Sequence, residues 1–176
     1  MSDRLDVGCG PRKRDGFDGM DVHAYPGVDI VHDLDAPGTW PIPDDRYGYI
    51  QAIHVVEHIR DLRKFFAELH RVARPGALIR LETPHYSSSN SWADPTHIHH
   101  LSVSFCAPFL EGYLGPQFPL FQLESERITF GGLLHTWPAR LYCRVFGYGS
   151  YERHFAWMVP ASGVIVELRV RKPERT

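Results

Sequence analysis

The stretch Leu5-Asp6-Val7-Gly8-Cys9-Gly10 decides the fold. A short apolar strand, Arg4 to Val7, runs straight into a glycine turn. Glycine lacks Cβ and accepts positive φ, so such a turn lets the backbone approach a bound molecule closely. In open α/β sheets, ligands bind beyond the carboxyl ends of the strands, where the strand order reverses. Gly8, Cys9 and Gly10 are therefore the first candidate binding residues.

Downstream, Phe17 to Val22 is a second apolar stretch ending around Asp21, and Val28 to Val31 a third, ending in His32-Asp33-Leu34-Asp35. Pro37, Gly38, Pro41 and Pro43 mark a loop. Tyr49 to Val56 reads as a buried fourth strand passing into a turn. From Asp61 to Arg74, Leu62, Phe65, Phe66, Leu69, Val72 and Ala73 repeat at helical spacing. Asp61 suits the N-cap, and Pro75-Gly76 is expected to stop the helix. Ala77 to Thr83 returns as a fifth strand. Such alternation is the pattern of an open α/β sheet with crossover connections. The second half is less regular: a polar, His-rich loop from Pro84 to His100, a short helix within Ser102 to Tyr113, and late strands at Gln122 to Phe130 and Val164 to Val170.

A length of 176 residues suggests one domain, 1–176, with a single core. Apolar and charged fractions of 43% and 23% are those of a soluble globular protein. A net charge of -2 and the lack of a basic stripe disfavour a nucleic-acid partner. Cys9, Cys106 and Cys143 form no CxxC pair, which fits a reducing cytoplasm. No apolar run approaches the roughly 18 residues of a transmembrane segment, and no signal peptide is evident.

Asp21 after strand two can accept hydrogen bonds from ribose hydroxyls. Asp33 after strand three can accept from an adenine amino group, with Leu34 packing on the ring. The ordered set is Gly8-Cys9-Gly10, Asp21, Asp33-Leu34, His54-Val55-Val56-Glu57-His58-Ile59 and Arg71-Val72-Ala73-Arg74-Pro75-Gly76. It resembles the small S-adenosylmethionine (SAM)-dependent methyltransferases of the type-11 group over roughly residues 4 to 105. That resemblance implies a Rossmann-like, mostly parallel sheet, methyl transfer, and SAM surrounded by Gly8, Cys9, Gly10, Asp21, Asp33, Leu34, His54 and Val55. Two departures stand out. Only Pro11 to Phe17 separate the glycine turn from strand two, so the first crossover helix is expected to be absent or a single turn. Nor is a helix expected upstream of strand one to cover the cofactor. A nicotinamide enzyme would need GxGxxG opening a helix that faces a pyrophosphate, whereas Pro11-Arg12-Lys13-Arg14 follows here.

Methyl transfer from a sulfonium is an in-line displacement that often needs a base, and histidine is the natural one near neutral pH. A helical turn there would put His54, Glu57 and His58 on one face, and the loop after strand five adds His85, His97, His99 and His100. His58 and His97 lead as catalytic candidates, with His99 and His100 behind them. The competing reading is a divalent ion held by His54, Glu57, His58 and His97. His54-x-x-Glu57-His58 looks like the ExxEH metal site of ubiquinone-biosynthesis and small-RNA methyltransferases, with His54 in place of the first Glu. That change would favour Zn²⁺ or Mn²⁺ over Mg²⁺. A metal is not favoured over the base, and the bland reading keeps these residues as turn and loop structure.

The aromatic-rich segment from Leu133 to Met158 has helix-like spacing and reads first as a cover over the sheet. A homodimer face or a membrane-surface contact are its alternatives, given Arg140, Arg144 and Arg153. The sequence therefore points to a single-domain enzyme O-methylating a small molecule or glycan. The alternatives are a SAM-binding partner subunit without chemistry, and a metal-dependent hydrolase.

Overall fold

The computed structural model describes residues 2–110, 120–132 and 135–172. Among these residues seven strands form one sheet: β1 (Arg4–Val7), β2 (Asp18–Asp21), β3 (Ile30–Val31), β4 (Tyr47–Ile53), β5 (Ala73–Pro84), β6 (Phe121–Thr129) and β7 (Gly163–Val170). Their order is β3-β2-β1-β4-β5-β7-β6. Strands β1 to β5 pair in parallel, while β7 runs antiparallel to both β5 and β6. The mostly parallel open sheet expected from the sequence is the one observed. The order turns back between β1 and β4, so a binding crevice belongs beyond their carboxyl ends.

One face of the sheet is covered by α1 (Leu62–Val72), whose Phe65, Phe66, Leu69 and Val72 are buried. Phe66 stacks on Phe109 of α3 (Ala107–Leu110) with ring centroids 3.9 Å apart. Asp61 caps α1 as expected, accepting from the Lys64 N–H at 3.0 Å. The stop differs from expectation: α1 ends at Val72, and Ala73 is already extended. Arg74 precedes a proline, which disfavours helical backbone there, so the chain leaves the helix before Pro75-Gly76 and carries both into β5. The freed carbonyls of Arg71 and Ala73 accept from the Lys172 ammonium, at 2.9 and 2.7 Å.

The first crossover is a single 3₁₀ turn, Gly10–Arg12. A polar network lies where a helix would otherwise cover the sheet. Asp6, on β1 and buried, accepts from Gln51 Nε2 at 2.8 Å and from the Arg14 N–H at 3.2 Å. Arg14 also donates to Gln51 Oε1 at 3.1 Å. The loop after β5 contains a short helix not anticipated, α2 (Ser89–Ala93), with Ser88 as its cap. Of the helix expected in Ser102 to Tyr113, α3 is present and residues 111–113 lie outside the described set, as do Leu133 and Leu134 of the aromatic segment. The rest of that segment forms α4 (Trp137–Phe146) and α5 (Tyr148–His154). No helix among the described residues is long and apolar enough to cross a membrane.

Candidate functional site

Four chain segments leave the carboxyl edge of the sheet together. Gly8 follows β1 with φ of +65°, a conformation natural to glycine. A Cβ there would sit 2.4 Å from Val55 Cγ2, so the turn and Val55 pack as closely as a glycine allows. The Gly8 and Cys9 N–H groups both donate to Met20 O, which pins the turn to the end of β2. Asp21 closes the arrangement, accepting from the Gly10 N–H at 2.8 Å on one oxygen and from the His23 N–H at 2.9 Å on the other. A carboxylate has about four lone-pair positions, so both oxygens retain capacity for a ligand.

A cavity of about 320 Å³ opens here, lined by Gly8, Asp21, Val22, Asp33, Leu34, Asp35, His54, Val55, His58 and Ile59. It gathers Gly8, Asp21, Asp33, Leu34, His54 and Val55 from the expected binding set, while Cys9 and Gly10 do not line it. The Cys9 sulfur turns toward Gly19 instead, and burial with Asp6 and Asp21 nearby pushes its thiol up to about 11. Asp35, Val22 and Ile59 were not anticipated. Asp35 accepts from the Arg60 and Asp61 N–H groups and so fixes the chain entering α1. Its signal was its place two residues after Asp33.

A second cavity of about 600 Å³ is lined by His54, His58, Pro84, Asn90, Ala93, Asp94, Pro95 and His97. The two cavities share His54 and His58. His54 holds φ of +56°, rare for a residue with a side chain and a form of stored strain common at functional sites. Its N–H donates to Glu82 O, and its ring Nδ1 lies 3.3 Å from Glu57 Oε1. The bond to Glu57 raises the His54 pKa from its usual value, outweighing the opposing effect of burial.

Glu57 is 1% exposed although it sits in a 3₁₀ turn, Val56–His58. The His-rich loop buries it, because the Ile98 and His99 N–H groups both donate to the Glu57 carbonyl, at 2.9 and 3.2 Å. Glu57 Oε2 is buried and has no hydrogen-bond partner among the described residues. Beside it, the His58 and His97 rings meet edge to face, with centroids 4.7 Å apart. His97 Nδ1 lies 3.0 Å from Ser91 O, and a carbonyl can only accept, so Nδ1 carries the proton and Nε2 presents a lone pair. His58 Nδ1 faces Thr96 O and Oγ1, at 3.2 and 3.1 Å, and the Thr96 hydroxyl itself donates to Asp94. His58 Nε2 is then also a free acceptor. Single donor atoms of Glu57, His58 and His97 lie within 4.8 Å of one another. His54, the fourth residue of the expected metal set, reaches this cluster through its bond to Glu57.

The other histidines are engaged differently. His99 donates from Nε2 to Ile59 O at 2.8 Å, and His100 bonds Ser91 Oγ at 2.9 Å while stacking on Trp92. Neither lines the two cavities. His85 is fully buried between Ser87 Oγ at 2.8 Å and Glu152 Oε1 at 3.0 Å, and it joins the loop to α5.

The model of a family described as a methyltransferase domain matches residues 2–107. No curated protein matches the chain. Among solved structures, a SAM-dependent methyltransferase from Mesorhizobium loti is 14% identical, with a TM-score of 0.59 over 94% of this chain and 89% of that one. A chain of the complex between the Haloferax volcanii Trm112 methyltransferase activator and a methyltransferase is 13% identical, with a TM-score of 0.61 over 96% and 82%. The [4+2]-cyclase SpnF is 16% identical, with a TM-score of 0.63 over 97% and 74%. At such identities the likeness is one of fold.

Proposed function

The chain belongs to the methyltransferase domain family, and from that premise we propose that it transfers a methyl group from SAM to an oxygen of a small-molecule or glycan acceptor, with a histidine as general base. The observation that carries this reading is the pair of adjoining cavities with His54 and His58 in their common wall. A donor in one and an acceptor in the other would meet at that wall, as an in-line displacement requires.

The smaller cavity suits SAM by its chemistry. Asp21, Asp33 and Asp35 offer acceptors for hydroxyl and amino groups and favour a cation, while Leu34, Val55 and Ile59 supply apolar walls. SAM carries no phosphate, so a 3₁₀ turn suffices where a pyrophosphate would call for a helix N-terminus. When bound, SAM supplies an electrophilic methyl group on a sulfonium. The chain's own residues orient the acceptor and handle its proton. His97 Nε2, with Nδ1–H held by Ser91 O, is arranged to take a proton from a hydroxyl in the larger cavity. Glu57 Oε1, 4.0 Å from that nitrogen, would then stabilise the imidazolium. His58 is the alternative base, since its Nε2 is equally free.

One observation favours a second reading. The orphaned Glu57 Oε2, beside two histidines whose Nδ1 atoms are fixed by backbone carbonyls, is the arrangement of a three-ligand divalent-ion site. Two nitrogens and one oxygen would suit Zn²⁺ or Mn²⁺ better than Mg²⁺. Calorimetric titration with SAM and S-adenosylhomocysteine, before and after chelation, tests both readings. Binding and transfer that survive chelation, with His97→Asn keeping affinity and losing turnover, would support the base. Transfer lost on chelation and restored by Zn²⁺ or Mn²⁺ would move the ion to first place. Unchanged turnover in both His58→Asn and His97→Asn would remove the histidine base, SAM binding with no turnover in any variant would leave only a SAM-binding scaffold, and no affinity for either nucleoside would overturn the proposal.

A further inference from the structure

Helix α4 turns a row of large apolar side chains to solvent. Trp137, Leu141 and Val145, at i, i+4 and i+8, are 59%, 53% and 64% exposed, and Phe146 extends the row. Trp157 and Met158, after α5, are more exposed still, at 67% and 75%. A monomer rarely leaves so many large apolar groups in water along one segment. The exposed charge around them is mostly positive. From Arg127 to Met158 the one acidic residue is Glu152, which bonds His85 and the Val103 N–H, while Arg127, Arg140, Arg144 and Arg153 are basic. Arg140 is engaged with Phe130 O and Thr136 Oγ1. Arg144 and Arg153 are exposed and make no ion pair among the described residues.

We propose that this face docks on an anionic lipid bilayer, with Trp137, Leu141, Val145, Trp157 and Met158 entering the interface and Arg144 and Arg153 meeting lipid phosphates. Charge complementarity decides between a bilayer and a second copy of the chain. Pairing this face with itself would set its arginines against the same arginines, and the one carboxylate among residues 127–158, Glu152, is already engaged by His85 and the Val103 N–H. A negatively charged surface neutralises both arginines and accepts the tryptophans, which favour the headgroup boundary. The position is also apt: Met158 lines a cavity with Asn90, and Asn90 lines the larger cavity beside His97. The docking proposal stands apart from the reaction proposed above.

Flotation of the full chain with vesicles of phosphatidylcholine alone, or mixed equally with phosphatidylglycerol, tests it. Binding is expected to the mixed vesicles only, weakening as salt rises and accompanied by a blue shift of tryptophan emission. The double variant Arg144→Gln/Arg153→Gln should weaken partitioning roughly fivefold for each arginine. Leu141→Glu should abolish it with the thermal melt unchanged, because that side chain is exposed. Equal affinity for both vesicle types, no binding to either, or binding indifferent to all these changes would overturn the proposal. So would a dimer in sedimentation velocity that Leu141→Glu converts to monomer, which would give the face to a second copy.

Discussion

Replacing Gly8 by alanine tests the packing on which the smaller cavity depends. With φ of +65°, any other residue pays about 1–2 kcal/mol in left-handed backbone. The added Cβ would lie 2.4 Å from Val55 Cγ2, where carbon atoms settle at about 3.5–4.0 Å. More than an ångström must open, against a β-branched side chain that is itself buried. Overpacking of that kind costs about 1–3 kcal/mol, so Gly8→Ala should lose about 2–5 kcal/mol in all. Val55→Ala alone removes two methyl groups, about 1.6 kcal/mol at 0.8 kcal/mol for each group. In the double variant the overlap is gone, while the backbone strain and the loss of the Val55 methyls remain. Its loss should therefore fall short of the sum of the single losses by the overlap, about 1–3 kcal/mol. Urea denaturation of the four proteins measures the cycle, and titration with S-adenosylhomocysteine should show weaker binding in Gly8→Ala, because Val55 lines the cavity. Additivity within about 0.5 kcal/mol would refute the close approach.

The buried Glu68 carboxylate accepts from Arg71 at 3.0 and 2.8 Å and from the Trp40 N–H. Burial would raise its pKa, but the Arg71 and Trp40 hydrogen bonds outweigh that and lower it, so its contribution is present above the unfolded carboxylate range and lost as pH falls through the folded value. Arg71→Met should cost about 3–5 kcal/mol near neutral pH by leaving that charge unpaired, with a flatter acid limb in pH-dependent denaturation. His54 has the opposite sign. Its bond to Glu57 raises its pKa, so its contribution is full below the unfolded histidine value and lost as pH rises through the folded one. A proton-resolved NMR titration should report the raised value, and Glu57→Gln should return it toward the usual one. Asp61→Ala should cost about 1 kcal/mol by removing the α1 cap, read in the same denaturation assay.

What could be read from the sequence was local. Val7-Gly8 declares a strand and a turn within a few residues, and Asp61 with the Leu62-to-Val72 periodicity declares a capped helix. Asp21, Asp33, Leu34 and His54 were legible as neighbours because each follows a strand of one parallel sheet. Long-range partners were not legible. Lys172, about a hundred residues downstream, satisfies the Arg71 carbonyl near the end of α1 and the Ala73 carbonyl just beyond it, a partnership that no local spacing announces. Glu57 looks like an ordinary turn acid until the loop bearing Ile98 and His99 folds back on it. The histidines of the second half are alike in sequence, yet His85 is a buried strut, His99 and His100 are tethered, and His97 keeps a free nitrogen.

Strand β7 bears on how the molecule assembles. Although the last of the described strands, it lies inside the sheet, and among the described residues β6 bonds to no other strand. On a ribosome, β1 to β5 and α1 can pair as they emerge, whereas β6 must wait for residues 163–170. Closure of the second half is therefore a late, non-local event, of the kind that slows folding. Until it occurs, the chain exposes two unfinished edges, β5 and β6, in the window when a chaperone or a protease would meet it.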